Sequence, residues 1–275
     1  MPVTVGNCEI IPVHDLPLNF PIAMMFPTLT EDDLAPYREL YPGAFSPVGL
    51  ALDCGSFVIR SGDVTVVVDT GMGPGPIAML GGAKGNLVPD MVSKGVPVAS
   101  VDIVVHTHLH FDHVGWNIVD ARPTFPNATY YAPRADYELF ADNVVANPHM
   151  TQVIPLMELG KLEMYDGKID LTPEVSTVPS AGHTPGHHSI LVKSGSETLL
   201  VLGDVAHHPF QVDRPDWSDT FDLDHEQADA NRTQIMEQLE RDGGLAAFGH
   251  FKGGGIGRLV RENGRRVFRA LSLAH

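Results

Sequence analysis

His106-Thr-His-Leu-His-Phe-Asp-His-Val-Gly-Trp116 is the stretch on which the reading of this chain turns. Four of its residues, His108, His110, Asp112 and His113, spell H-x-H-x-D-H and bring three imidazoles and a carboxylate together directly after an apolar run at 101–105. In an extended segment alternate side chains share a face, so His108 and His110 can reach one ion together. A turn at Phe111 carries Asp112 and His113 to the other side, where they can serve a second ion. Neutral imidazole and carboxylate suit zinc first, with iron, manganese or cobalt as alternatives. His106 lies two residues earlier on the same strand and reads as a core or supporting histidine rather than a ligand.

The rest of the composition narrows the setting. A chain of 275 residues is long enough for one large domain or two small ones, and no segment is long or polar enough to divide it. It therefore reads as a single domain over 1–275. The formal net charge of −16 disfavours nucleic-acid backbones and anionic membranes as partners, because both would repel it. Cys8 and Cys54 are the only cysteines and form no C-x-x-C pair, which fits a reducing compartment. Without a basic and apolar leader or a run long enough to span a bilayer, a soluble cytoplasmic protein is expected.

Residues 1–45 are rich in proline and large apolar side chains, notably Phe20-Pro-Ile-Ala-Met-Met-Phe26. They read equally as an irregular segment packed on the core or as an apolar arm lining a pocket or a dimer contact. Thr30-Glu-Asp-Asp33 reads as a capped helix start running toward Arg38 and Leu40. Strands are expected at 56–60 and 64–68, joined by Ser61-Gly-Asp63 as a hairpin and ending in Asp69-Thr-Gly71. Gly71-Met-Gly-Pro-Gly75 is no dinucleotide fingerprint, since the third glycine of that motif would fall at Pro76. Further strands are expected at 101–105, 129–131, 175–178, 189–193, 198–202 and 245–248, with helices at 134–142 and from Asp224 through Leu239 to Gly243-Gly244, and a hairpin at 258–268 turning on Asn263-Gly264. Strands alternate with helices, and each half of the chain has its own hairpin-rich sheet.

Three more polar residues, His183, Asp204 and His250, each follow directly on an apolar strand. Strand ends converge on one edge of a layered fold, where sites are built. Taken singly, His183 is as readily a turn histidine, Asp204 a turn cap and His250 a surface residue. Beside the first cluster, all three become candidate ligands.

Asp69-Thr-Gly71, His108-x-His-x-Asp-His113, Gly182-His-Thr-Pro-Gly-His187, Gly203-Asp204 and Gly249-His250 together resemble the metallo-β-lactamase superfamily in order and spacing, over roughly 50–260. The resemblance implies an α+β fold, a four-layer αββα sandwich with a dinuclear metal centre at one edge. It also implies that His108, His110 and His183 hold one ion, that Asp112, His113 and His250 hold the other, and that Asp204 bridges them. Cations about 3.5 Å apart can share a nucleophilic hydroxide. Asp112 would orient that nucleophile and pass its proton to the leaving group, and Asp69 would fix an imidazole tautomer.

Within the superfamily, the penicillin-hydrolysing members with a cysteine ligand do not fit, because neither cysteine lies near a motif. The points of closest similarity, His108 to Gly115, Gly203-Asp-Val-Ala-His207, Phe221-Asp-Leu-Asp224 and Gly255-Ile-Gly-Arg-Leu259, resemble lactonases and methyl-parathion-hydrolase-like enzymes. After Asp204 the chain reads Val-Ala-His-His-Pro-Phe210, without the tyrosine that quorum-signal lactonases often carry. The expectation is a metallohydrolase of small apolar esters or lactones, with organophosphate hydrolysis or di-iron redox chemistry as the alternatives. Phe26, Phe111, Trp116 and Phe210 are candidate pocket residues, each as readily explained by core packing. A homodimer is the expected assembly, and a small molecule the expected partner.

Overall fold

The computed structural model describes residues 2–272; Met1 and residues 273–275, which the single-domain expectation also spans, lie outside the described residues. The β-branched strand Val64–Val68 sits at the centre of the first sheet. It pairs antiparallel with Gly49–Ser61 and parallel with Ile103–Val105, the strand that leads into the histidine cluster. Its Val66 and Val68 pack toward the second sheet while Val67 packs outward, so it is buried on both faces.

From one edge to the other, that sheet runs Val3–Val5, Cys8–Phe20, Gly49–Ser61, Val64–Val68, Ile103–Val105, Thr129–Pro133, Leu162–Tyr165, with Phe45–Ser46 added beside Gly49–Ser61. The second sheet runs Val175–Pro179, His188–Ser194, Glu197–Val201, Leu245–Ala247, Ile256–Glu262, Arg265–Ala270. Between the two lies a core that includes Ile10, Phe57, Ile59, Val105, Ile190, Val192, Leu199 and Ala247. Leu87 and Met91 of helix Leu87–Ser93, Phe140 of Arg134–Ala141 and Leu156 of Ile154–Glu158 cover the outer face of the first sheet. Met236 and Leu239 of the long helix His225–Asp242 cover the outer face of the second. Helix, sheet, sheet and helix form the expected αββα layers.

Several expected elements take the bounds their local chemistry sets. Helix Glu31–Leu40 begins at Thr30, whose hydroxyl accepts from the Asp33 amide while the Asp33 carboxylate accepts from Thr30, a complete capping box. Helix His225–Asp242 is capped by the Asp224 carboxylate and stopped by Gly243 in the left-handed region.

The N-terminal region is a correction. Cys8–Phe20 is neither irregular nor a free arm; it is a long strand paired with nearly all of Gly49–Ser61. Its prolines hid it. Val3–Val5 covers only residues 8–10, so the remainder is a sheet edge, where proline is tolerated. Side chains take that edge's polar groups: Lys94 donates to the Pro12 carbonyl, and the His14 amide donates to the Asp90 carboxylate. A second correction is the strand Leu162–Tyr165, unforeseen in a short segment with a charge in its middle.

Candidate metal centre

Val175–Pro179, Glu197–Val201, Leu245–Ala247 and Ile103–Val105 each end at one edge of the sandwich, and the loops that follow carry the polar residues inward. After Ile103–Val105 the chain bends at Thr107 and His108, is extended again at His110 and then turns into the single helical turn Phe111–Val114, which swings Asp112 and His113 to the far side. Asp204 follows Gly203, whose φ of 54° and close neighbours leave no room for a side chain: a Cβ there would stand 2.7 Å from His187 Nε2 and 2.8 Å from Thr107 Oγ1.

The two oxygens of Asp204 divide the cluster. Oδ2 lies 3.5 Å from His108 Nε2 and 3.2 Å from His183 Nε2, and His110 Nδ1 completes that side at 3.1 Å from His108 Nε2 and 2.9 Å from His183 Nε2. Oδ1 lies 3.2 Å from His113 Nε2 and 3.1 Å from His250 Nε2, with Asp112 at 3.8 and 3.7 Å from the same two nitrogens. All seven candidate ligands are thus brought together, in two groups of ligand atoms each compact enough to hold a cation.

Among the described residues, His113 Nε2, His250 Nε2 and Asp204 Oδ1 are buried without a hydrogen-bond partner. Buried polar atoms left so are costly unless something else satisfies them. A divalent cation on each side of Asp204 would do so, and the donor set of imidazoles and carboxylates fits one.

The opposite nitrogen of each of four of these imidazoles is pinned. His108 Nδ1 donates to Thr107 Oγ1 at 3.0 Å, His113 Nδ1 to Asp69 at 2.9 Å, His183 Nδ1 to Asp222 at 3.1 Å and His250 Nδ1 to the Asp53 carbonyl at 2.8 Å. Such bonds fix the tautomer and leave Nε2 with its lone pair toward the centre. Thr107 in turn donates to Asp69 through both hydroxyl and amide. Replacing Asp69 by Asn is expected to weaken metal binding about 10- to 100-fold, read by titration with a competing chelator; unchanged affinity would remove Asp69 from the centre.

Charge follows geometry. Burial pushes the His108 and His110 imidazoles well down, and neighbouring imidazoles push them further. Burial alone would raise the Asp204 carboxyl, but His113, His250, His108 and His207 hold it well below the usual range. Burial likewise works against ionised Asp69, and His113 and His106 overcome it. His106 itself, fully buried, accepts on Nε2 from the Asn117 side-chain NH₂ at 3.0 Å and takes no part in either ligand group.

Residues outside the expected ligand set complete the centre. His207 reaches Asp204 Oδ2 with Nε2 at 3.1 Å, while its Nδ1 faces Asp219 at 2.7 Å and its ring stacks on His250. The Gly-Asp-x-x-His spacing of Gly203 to His207 was the available signal. His187 Nε2 accepts the Asp204 amide, and Asp136 ties two ligand loops by accepting from the Leu109 and Gly186 amides and the Thr184 hydroxyl. Cys54, distant in sequence from every motif, lies beneath the centre with its thiol donating to the Asp112 carbonyl at 3.4 Å; burial pushes that thiol well up, as in an inert core group.

The four aromatic candidates separate. Phe111 is 40% exposed and lines a groove of about 740 Å³ beside Met72, Ile77, Met79 and His149. Phe26 and Phe210 are instead packed in the core, rings 4.9 Å apart, and Phe210 also meets Trp217 at 5.3 Å. Trp116 is buried with its indole donating to Asp15. Adjacency to a ligand says nothing about the direction of a side chain. Phe210→Ala is accordingly expected to cost about 3–5 kcal/mol in chemical denaturation, as a core cavity does, with metal content unchanged; a stability loss under about 1 kcal/mol would contradict core placement.

Sandwich and edge cluster together define the class, a metallo-β-lactamase-type fold with imidazole and carboxylate groups that could hold metal at its edge. The chain belongs to the metallo-β-lactamase superfamily, whose family profile matches residues 51–250. An N-acyl homoserine lactonase from Bacillus sp is 25% identical over 232 residues, covering 77% of this chain and 84% of the relative. The N-acyl homoserine lactonase AttM of Rhizobium radiobacter is 32% identical over 129 residues, 44% of this chain and 47% of its own. Among solved structures, the hydrolase AbOPH of the beta lactamase superfamily superposes with a TM-score of 0.85 at 22% identity, covering 100% of this chain and 98% of that one.

Proposed function

We propose that this protein hydrolyses small apolar esters or lactones with the help of two divalent cations, zinc foremost, and that phosphotriesters are side substrates. The observation that carries the proposal is the division of the Asp204 carboxylate between two sets of imidazoles. The relatives named as lactonases support the ester or lactone class.

When bound, the cations supply Lewis acidity and bring the pKa of water toward neutrality. The chain's own residues supply the rest. His108, His110 and His183 would hold one cation and Asp112, His113 and His250 the other, with Asp204 available to both. The Asp112 side chain, at 13% exposure the most accessible carboxylate of the cluster, takes the proton of the attacking water on a carboxylate oxygen and delivers it to the leaving oxygen. Phe111, whose exposed ring lines the groove beside Met72, Ile77 and His149, receives the apolar part of the substrate there.

A panel of aryl esters, lactones and a phosphotriester, assayed with and without chelator, tests the class. Chelator-sensitive turnover of an ester or lactone is expected, and Asp112→Asn is expected to lower kcat about 10²- to 10⁴-fold with the metal retained. Full activity in that variant would remove Asp112 from proton transfer.

A further inference from the structure

Asp15 lies at the point where the register of Cys8–Phe20 slips against its partner, between His14 and Leu16. This bulge turns the side chain away from the sheet, and the carboxylate ends almost completely buried at 1% exposure. Four N–H donors converge on it. Oδ2 accepts from the Met72 amide at 2.7 Å; Oδ1 accepts from the amides of Asn86 and Leu87 at 2.7 and 2.8 Å and from the Trp116 indole at 3.0 Å. The Asp15 carbonyl also accepts from the Asn86 amide at 2.9 Å. No basic side chain pairs with this carboxylate among the described residues. Burial pushes the acid up, and the four donors pull it back.

The placement of these donors gives the carboxylate its purpose. Met72 and Asn86 are the two ends of the glycine- and proline-rich loop whose Met72, Ile77 and Met79 form one wall of the groove beside Phe111. Trp116 follows Gly115, which meets that loop so closely that a Cβ on Gly73 would collide with the Gly115 carbonyl. Cβ atoms on Gly71 or Gly85 would likewise collide with the carboxylate itself. Main-chain bonds from Gly85 to the Gly73 carbonyl at 3.2 Å and from Ile77 to the Ala83 carbonyl at 2.9 Å cross the loop, and the Asp15 carboxylate adds one charged acceptor common to both of its ends.

We propose that Asp15 is a positioning residue for the substrate groove: by holding Met72 and Asn86 on one carboxylate it sets the wall against which the apolar tail of the substrate lies. This rests on the hydrolase reading above. Asp15→Asn separates the two roles of the carboxylate, because an amide oxygen can serve the three donors on the Oδ1 side while its NH₂ is turned against the Met72 amide. Met72 is released and the remainder stays tied.

The test compares p-nitrophenyl acetate with p-nitrophenyl decanoate on the metal-loaded enzyme and on D15N. The expected result is a KM for the decanoate raised about ten-fold, with the acetate KM moved less than about two-fold. Equal changes for both esters, a change in kcat alone, or no change would overturn the proposal. If D15N does not fold, amide exchange of the wild-type protein decides instead: slow exchange at Met72, as slow as in Val64–Val68, supports the tie, and free exchange refutes it. A wild-type enzyme that turns over no ester or lactone would sink the hydrolase reading, and the exchange of Met72 would still decide whether Asp15 holds that wall of the groove.

Discussion

Replacing Asp204 by asparagine is expected to lower kcat/KM for ester or lactone hydrolysis by about three orders of magnitude and to leave the protein with one cation in place of the two proposed. The carboxylate does two things that an amide cannot. Each of its oxygens faces a different set of imidazoles, Oδ2 toward His108 and His183 and Oδ1 toward His113 and His250, whereas an amide offers one oxygen and turns an NH₂ toward the other set. It is also the negative charge common to both groups, buried among the imidazoles, where it offsets part of the positive charge that two cations would bring. Steady-state kinetics and elemental analysis on one preparation check the result. A variant that kept both cations and more than about a tenth of the activity would contradict the bridging role.

Arg232→Met is expected to destabilise the fold by about 3–5 kcal/mol, although Arg232 touches no candidate ligand. Its guanidinium, 1% exposed, donates to Asp222 at 2.7 Å, to Asp229 at 3.0 Å and to the carbonyls of Val205 and Pro215. Asp222 is itself buried and accepts from His183 Nδ1. Methionine fills much of the space but leaves the Asp222 charge without its partner in a dry site. The carboxylate then has His183 as its only cation, which favours a protonated imidazole over a metal-binding one, so metal affinity should fall about 10- to 100-fold as well. Denaturant melts and chelator competition read the two effects separately. Loss of stability with unchanged affinity would limit Arg232 to folding.

The candidate ligand cluster was legible because its chemistry is concentrated. His108 to His113 are adjacent, and His183, Asp204 and His250 each stand at the end of an apolar strand, so sequence position alone carries them to one edge. The supporting carboxylates had no such signal. Asp136, Asp219 and Asp222 are ordinary aspartates far from the motifs they serve, and only the fold brings them to Leu109 and Gly186, to His207 and to His183. Cys8–Phe20 was hidden for a related reason: two prolines and an aspartate interrupt its pattern, and each is acceptable only because most of the strand is an edge with a bulge at Asp15. Phe210 and Phe111 show the limit from the other direction. Both lie near ligands in the chain, yet one points into the cluster of Phe26 and Trp217 and the other into the groove, a difference of side-chain direction that spacing does not encode.

The central claim is that the two oxygens of Asp204 serve two cations. Titrating metal-stripped protein with zinc while following ester or lactone turnover tests it most directly. Activity that rises to a plateau at about two equivalents, with the same two found by elemental analysis, is the predicted result. Full turnover at a single equivalent, or in protein that binds none, would contradict it.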